Sequence, residues 1–315
     1  MAGLYVREQW IWNKMANQKF AGREANIMGQ PLFVLPTTAY ASYSAIAFAR
    51  NHNKNVYDTL NLAYAAAVSG RGDAIVLIPG THTPSASIAT SKAGVSIIGP
   101  EAWMGMSVRR PSATIVGPAA DEAFNITGAN MGFYGLTCVP ITAKSFADFT
   151  GAANGLTVKG CYLDLAVPVV NIATAGFTGS AAIEDFLFEG NIAWSDGAQG
   201  PALTLTGANL NGKLKGNHYH VDAGSWAVAV SLAAIDGLVV EGDLATCGGT
   251  AMTACYNGSG TTVVAGVVFR DCRNGVLVTK LVDGFGTNSH AELARNWIAE
   301  VGAGAGGATL VTVVT

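Results

Sequence analysis

From about residue 94 onward, apolar and polar positions recur in one short phrase. An apolar residue, any residue, an apolar residue, any residue and a glycine are followed by a polar or thiol residue. Val95, Ile97 and Gly99 lead to Pro100 in this way, and Leu156, Val158 and Gly160 lead to Cys161. The phrase returns with Phe186, Phe188 and Gly190 before Asn191, and more weakly with Leu214 and Gly216 before Asn217. Leu238, Val240 and Gly242 precede Asp243, and Val267 and Phe269 lead through Asp271 to Cys272. Phe133 to Cys138 reads as a degenerate copy, which sets Cys138 one turn from Cys161 at an equivalent position. The closing residues fall at 100, 138, 161, 191, 217, 243 and 272. A period mostly in the twenties, with alternation of period two inside each copy and glycine at the corners, predicts a β-solenoid.

Further short strands follow each corner. Ile192–Trp194 and Ala202–Thr206 come after Asn191, and His218–Val221 and Trp226–Ser231 after Asn217. Three short strands per turn predict an all-β chain wound as a right-handed parallel β-helix. The position just before each corner carries Lys159, Glu189, Lys215, Glu241 and Arg270 in turn. Stacked turns lie roughly 4.8 Å apart, so this reads as a column of alternating charge that fixes register. Each pair contributes roughly 0.2–1 kcal/mol. Beside it Val158, Phe188, Leu214, Val240 and Phe269 are expected to point inward. Asn191, Asn217 and Asp243 suit a turn with left-handed backbone.

Upstream, Asp58 is positioned to cap a helix running to about Val68, with Leu60, Tyr64 and Ala67 along one side. A strand Ala74–Ile78 follows, then Pro79, Gly80, Thr81 and His82. Downstream, Ser289 to Val301 reads as a second helix with Leu293, Trp297 and Ile298 on one face. The glycines at 302, 304, 306 and 307 then lead to a strand, Thr309–Thr315, suited to pairing with another chain. This Gly tract formally matches a dinucleotide fingerprint, but it follows a helix and precedes a strand, the reverse of the order such a site needs. The chain divides into an arm, 1–54; a solenoid with its capping helix, 55–283; and a C-terminal cap or assembly segment, 284–315.

The helix, the Pro-Gly-Thr corner at 79–81 and the copy at 95–100 resemble the opening of pectate-lyase-like right-handed β-helix proteins. The resemblance covers about 56–283. It implies a helix that plugs the N-terminal end of the solenoid, where open strand edges would otherwise be exposed. It leaves activity open, because that superfamily holds lyases, hydrolases, epimerases and non-enzymatic virion proteins.

Composition narrows the field. Charged residues are 12% of 315 and Gly is 39 of 315. Half the usual charge with 50% hydrophobic residues excludes intrinsic disorder and highly charged helical proteins. Net charge is −3, so no global basic field draws in nucleic acid. The longest weakly polar stretches fall short of a membrane span, and Arg7, Glu8 and Lys14 stand where a secretory signal needs apolar residues. Five cysteines, an odd number and without CxxC, read as reduced thiols. Residues 1–54 hold six bases and two acids, whereas the remainder is acidic. With Trp10 and Trp12 beside Arg7, Lys14, Lys19 and Arg23, the basic stretch reads either as an arm on the protein's own body or as a docking arm.

Candidate chemistry is sparse. His218, His220 and Asp222 sit at i, i+2 and i+4 and so share one face of a regular strand. They could serve acid–base work or metal binding, although alternate strand residues are spaced widely for three ligands on one ion. Asp196 and Asp222 each lie five residues past a corner and could stack as a carboxylate pair. Trp103, Trp194 and Trp226 could line a sugar groove or a subunit contact. The reading that combines these features is a non-enzymatic structural protein of a tailed-phage virion, needing no cofactor or metal. The resemblance implies a capsid decoration or tailspike-like protein, a homotrimer on the virion surface, made in the host cytoplasm. It would contact capsid or tail proteins through 1–54 and 284–315, with no nucleic acid or membrane partner. The alternative is a depolymerase or carbohydrate-binding protein acting on host surface polysaccharide.

Overall fold

The computed structural model describes residues 29–36, 55–103, 110–141, 144–150, 153–165, 176–180, 182–195, 200–207, 209–221, 228–232, 235–248, 252–258, 266–275, 277–283, 291–299 and 308–310. The described chain winds into a parallel β-solenoid whose three walls are sheets of eleven, ten and eight strands, called A, B and C below. Most strands have three or four residues and pair with the strand one turn earlier and one turn later. In sheet A the order runs from Ser96–Ile98 through Gly132–Tyr134, Thr157–Lys159, Leu187–Glu189, Lys213–Lys215 and Val239–Glu241 to Val267–Arg270.

Local sequence explains the turns. Sheet A is entered and left through left-handed backbone. The leaving corner is held by Gly160, Gly190, Gly216 and Gly242 at φ between +61° and +70°, and by Asp271 and Arg295 at +55° and +53°. The entering corner is held by Gly94, Asn130, Gly155, Asp185, Asn211, Gly237 and Gly266. Gly, Asn and Asp adopt this conformation at least cost. The residue after the leaving corner turns back inward, so Asn191, Asn217 and Asp243 are buried. Their backbones are not the left-handed positions; the residues just before them are.

The interior is a continuous column of apolar side chains. Val158, Phe188, Leu214, Val240 and Phe269 pair rung to rung in sheet A and are buried. Phe124, Phe133, Phe146, Phe149, Phe177 and Phe188 pack edge-to-face, tilted or stacked, with ring centroids 5.1–6.3 Å apart.

At the N-terminal end a helix, Leu60–Ala66, buries Leu60, Ala63 and Tyr64 against the first rungs. Thr59, not Asp58, caps it: the Thr59 hydroxyl accepts from the Leu62 N–H at 3.2 Å. At its other end the Lys92 ammonium donates to the carbonyls of Tyr64, Ala65 and Ala67 at 2.7–2.8 Å, a cation placed where a helix is most negative.

Both expected domain boundaries are crossed by sheets. Pro31–Val34, within the stretch read as an arm, is a strand of sheet A between Val56–Tyr57 and Ala74–Leu77. Among the described residues of 289–301 there is strand in place of the expected helix: Ala291–Ala294 and Trp297–Ala299 continue sheets A and B. The helical spacing of Leu293, Trp297 and Ile298 yields to rung grammar, because Arg295 takes the left-handed corner and Asn296 the buried site after it. Ala308–Leu310 pairs antiparallel with Trp297–Ala299 of its own chain; the rest of the strand expected over 309–315 lies outside the described residues. Cys138 also moves. It lies on sheet B opposite Leu163, and the site equivalent to Cys161 belongs to Leu136, after the corner at Gly135.

Candidate functional site

On sheet B the core-facing residues are Leu163, Ala193, Tyr219 and Ala245, so the residues between them face outward. Two outward columns result. One runs Asp164, Trp194, His220, Thr246, and the other Tyr162, Ile192, His218, Leu244. The Trp194 and His220 rings lie 4.3 Å apart at 32°. The Thr246 hydroxyl sits between two imidazoles, 2.8 Å from His218 Nε2 and 2.7 Å from His220 Nδ1. One hydroxyl has one proton, so it donates to at most one ring and accepts from at least one of them.

Extra chain borders this shelf. Residues 100–112 lie between the strands Ser96–Ile98 and Ala113–Val116 and include a short helix, Pro100–Trp103. Where this chain returns, Arg110 ion-pairs with Asp164 and lies over the Tyr162 ring, 5.2 Å from its centroid. The Pro111 carbonyl accepts from the Thr137 hydroxyl at 2.8 Å. Tyr162 and Thr137 are thereby buried although they face out of the solenoid, while Trp194, His218 and His220 stay half-buried. The result is an aromatic and imidazole shelf beside an Arg–Asp step. Such a surface can stack on a flat ring and hydrogen-bond its rim.

The charged residues of sheet A stand in file. Lys159, Glu189, Lys215, Glu241 and Arg270 are paired in register on successive rungs. Glu189 lies 3.3 Å from both Lys159 and Lys215, and Arg270 is 3.1 Å from Glu241. Burial pushes the Glu189 carboxyl up, but the Lys215 and Lys159 ammonium groups outweigh it and leave it below the usual carboxylate range.

A second ladder runs inside the corner. Asn191 Oδ1 accepts from the Cys161 N–H at 2.9 Å, and Asn217 Oδ1 from the Asn191 N–H and Nδ2 at 3.1 and 3.0 Å. Asp243 Oδ1 accepts from the Asn217 N–H at 2.7 Å. Each Asn also donates to a carbonyl of the preceding rung, Val158 or Phe188. Asp243 ends the run, because Cys272 follows it, and its other oxygen accepts from the Tyr256 and Tyr219 hydroxyls at 2.5 and 3.3 Å. Burial raises the Asp243 carboxyl to about 6, against the lowering effect of Tyr256, Asn217 and Tyr219. In the same interior, burial pushes the Cys272 thiol up to about 12 and the Cys255 and Cys138 thiols well up, which keeps them protonated and poorly nucleophilic.

Of the residues singled out from sequence, the structure brings His218 and His220 together on Thr246 and aligns the five charges. Arg7, Trp10, Trp12, Lys14, Lys19, Arg23, Asp196, Asp222 and Trp226 lie outside the described residues. Thr246, Arg110 and Asp164 were missed, since only register sets Thr246 against the imidazoles, and only register and the chain returning at 110 set Asp164 and Arg110 beside Trp194 and Tyr162. A polar file on the outer face of sheet C was missed as well: Asn125, Asp148, Thr178, Thr204, Ser231 and Asn257 pair one per rung. Its signal is a polar residue between two apolar or small ones, as in Phe124–Ile126 and Leu203–Leu205. Among the described residues no three His, Cys, Asp or Glu side chains gather as a metal site, and no helix is long and apolar enough to cross a membrane.

No family model and no curated protein matches the chain. Solved structures resemble it, among them these two. One is a pectin methylesterase from Aspergillus niger, at 11% identity over 92% of this chain and 94% of that one, with a TM-score of 0.40. The other is ORF18 of Geobacillus virus E2, at 11% identity over 76% of this chain, with a TM-score of 0.34. The chain spans 57% of that viral protein's length. The fold is a parallel β-helix. Similarity at this level extends to the winding of the chain alone, and the side chains described above are this chain's own.

Proposed function

We propose that this β-helix is a non-enzymatic structural protein of a tailed-phage virion, a homotrimeric decoration or auxiliary protein that projects from the capsid surface. The observation that carries the reading is the mutual pairing of wall and interior side chains. The charges of sheet A are matched to one another from rung to rung, and the corner amides lock successive rungs inside. This is the chemistry of a stiff spacer. The basic residues before the first described strand, Arg7, Lys14, Lys19 and Arg23, supply an arm that suits an acidic capsid or tail surface. A chain lacking residues 1–28 is expected to keep its β-rich circular dichroism and melting temperature but to disappear from purified particles. Undiminished incorporation rejects the arm as the anchor.

The shelf on sheet B favours a second reading, recognition or cleavage of host surface polysaccharide. Stacked Trp194 and His220 beside the Arg110–Asp164 pair could seat a sugar ring. Glycan-array binding lost in Trp194→Ala would support recognition. Release of reducing ends that stops in Asp196→Ala or Asp222→Ala would support turnover and displace the structural reading.

A further inference from the structure

The two histidines of the shelf have a geometry that neither reading uses. They occupy alternate positions of one strand, His218–Val221, and both face outward. Alternate residues of a strand are roughly 6.8 Å apart along the chain, so parallel imidazoles would keep their nitrogens separate. Here the rings are turned toward each other. Their planes meet at 72°, and their centroids are 6.0 Å apart. Nε2 of His218 and Nδ1 of His220 converge on a single atom, the Thr246 Oγ1, at 2.8 and 2.7 Å. One long-arm and one short-arm nitrogen meeting at one point is the arrangement a strand needs to chelate through positions i and i+2.

Both rings are held in place by neighbouring rungs. His220 is backed by Trp194 on the preceding rung. Thr246, opposite His220 on the following rung, tethers the two nitrogens through its hydroxyl. The strand is continuous with parallel partners on both sides, so neither ring is carried on a loop. Ring orientation set before the ion arrives lowers the ordering cost of binding. The site is half-buried, which leaves coordination positions open to water.

We propose that His218 and His220 form an open, exchangeable binding site for a borderline divalent transition-metal ion of the zinc or nickel class. Neutral imidazole nitrogens suit these ions, whereas calcium and magnesium prefer oxygen ligands. The ion takes one nitrogen from each ring, any ring that donates to Thr246 moving its proton through solvent to its other nitrogen, and completes its shell with water. The Thr246 hydroxyl holds the rings before binding and lies beside the ion afterwards. Two protein ligands instead of three or four distinguish this from a closed structural site, so the fold does not depend on the ion.

The experiment titrates the full-length chain with Ni²⁺, and separately with Zn²⁺, by isothermal calorimetry, alongside His218→Asn, His220→Asn and His290→Asn variants. Circular dichroism and melting without metal establish that each variant is folded. One equivalent is expected to bind the wild type, the His218 and His220 variants each losing about tenfold or more in affinity, and His290→Asn retaining it. Mg²⁺ is expected to produce no saturable heat. Absence of a one-equivalent event in the wild type overturns the proposal, and so does affinity undiminished from wild type in His218→Asn or His220→Asn. Because no step here depends on particle incorporation or glycan binding, its outcome is independent of theirs.

Discussion

At the scale of single residues, Asp243 stands where the two Asn before it would lead one to expect a third. An amide there would accept from Asn217 equally well, but its NH₂ would face the Tyr256 and Tyr219 hydroxyls. The carboxylate instead gathers donors from both tyrosines and from Asn217, with the Cys255 and Cys272 thiols also near enough to feel its charge. Its folded pKa of about 6 lies above the ordinary 3.8, so the folded state binds the proton more tightly. The resulting stabilisation is complete below about 3.8 and is lost as the pH rises through about 6. Urea unfolding is therefore expected to show wild-type stability falling between about pH 4 and pH 7, the span of the two pKa values, by at most about 3 kcal/mol. Asp243→Asn should flatten that slope; an unchanged slope would assign the pH dependence to other groups. Glu189 has the opposite sign and a smaller effect. It is shared by two ammonium groups at a half-exposed site, so Glu189→Gln should cost less than about 1 kcal/mol at low salt and almost nothing near 1 M.

At the scale of elements, the corner is what makes a rung. Asn217→Ala removes an acceptor from the Asn191 backbone, a donor to the Phe188 carbonyl and a partner for Asp243, all buried. A loss of about 2–4 kcal/mol is expected by urea unfolding. Asn154→Ala, whose side chain receives one exposed bond from the Glu184 N–H, should cost under about 1 kcal/mol. The alternation of Val158, Phe188, Leu214, Val240 and Phe269 with the charges beside them was legible because a strand exposes every second residue, and rungs of similar length place them in one frame. The inward turn of Asn191 was not. A polar residue after glycine has the same sequence signature whether it turns out to solvent or in to a ladder, and burial decides. The segment 289–301 misled for a related reason: Leu293, Trp297 and Ile298 satisfy a helical period, while Arg295 in a left-handed corner leaves no trace in composition. The shelf was half legible, since His218 and His220 share a face by period two, whereas Thr246 and Arg110 reach it from 26 and 108 positions away from His220 and His218 respectively.

At the scale of the whole molecule, the sheets extend beyond the segment that sequence assigned to the solenoid. Pro31–Val34 is inserted between Val56–Tyr57 and Ala74–Leu77, and its Leu32 and Val34 belong to the same core as the capping helix. Two truncations should therefore behave differently. Removing 1–28 leaves that strand in place, and melting should be unchanged. Removing 1–54 deletes the strand and opens the plugged end, and a lower melting temperature with greater aggregation is expected in differential scanning fluorimetry and light scattering.

The extra chain at 100–112 enters where Pro100 occupies the corner that later rungs give to Asn191, Asn217 and Asp243. Those later corners bond directly to the backbone of their neighbours, and a detour there would pull the amide away from its partners. Ornament and ladder thus compete for the same bend. Variation in length during evolution, or a peptide grafted by design, has room near the plugged end, while the laddered portion of the shaft must remain bare.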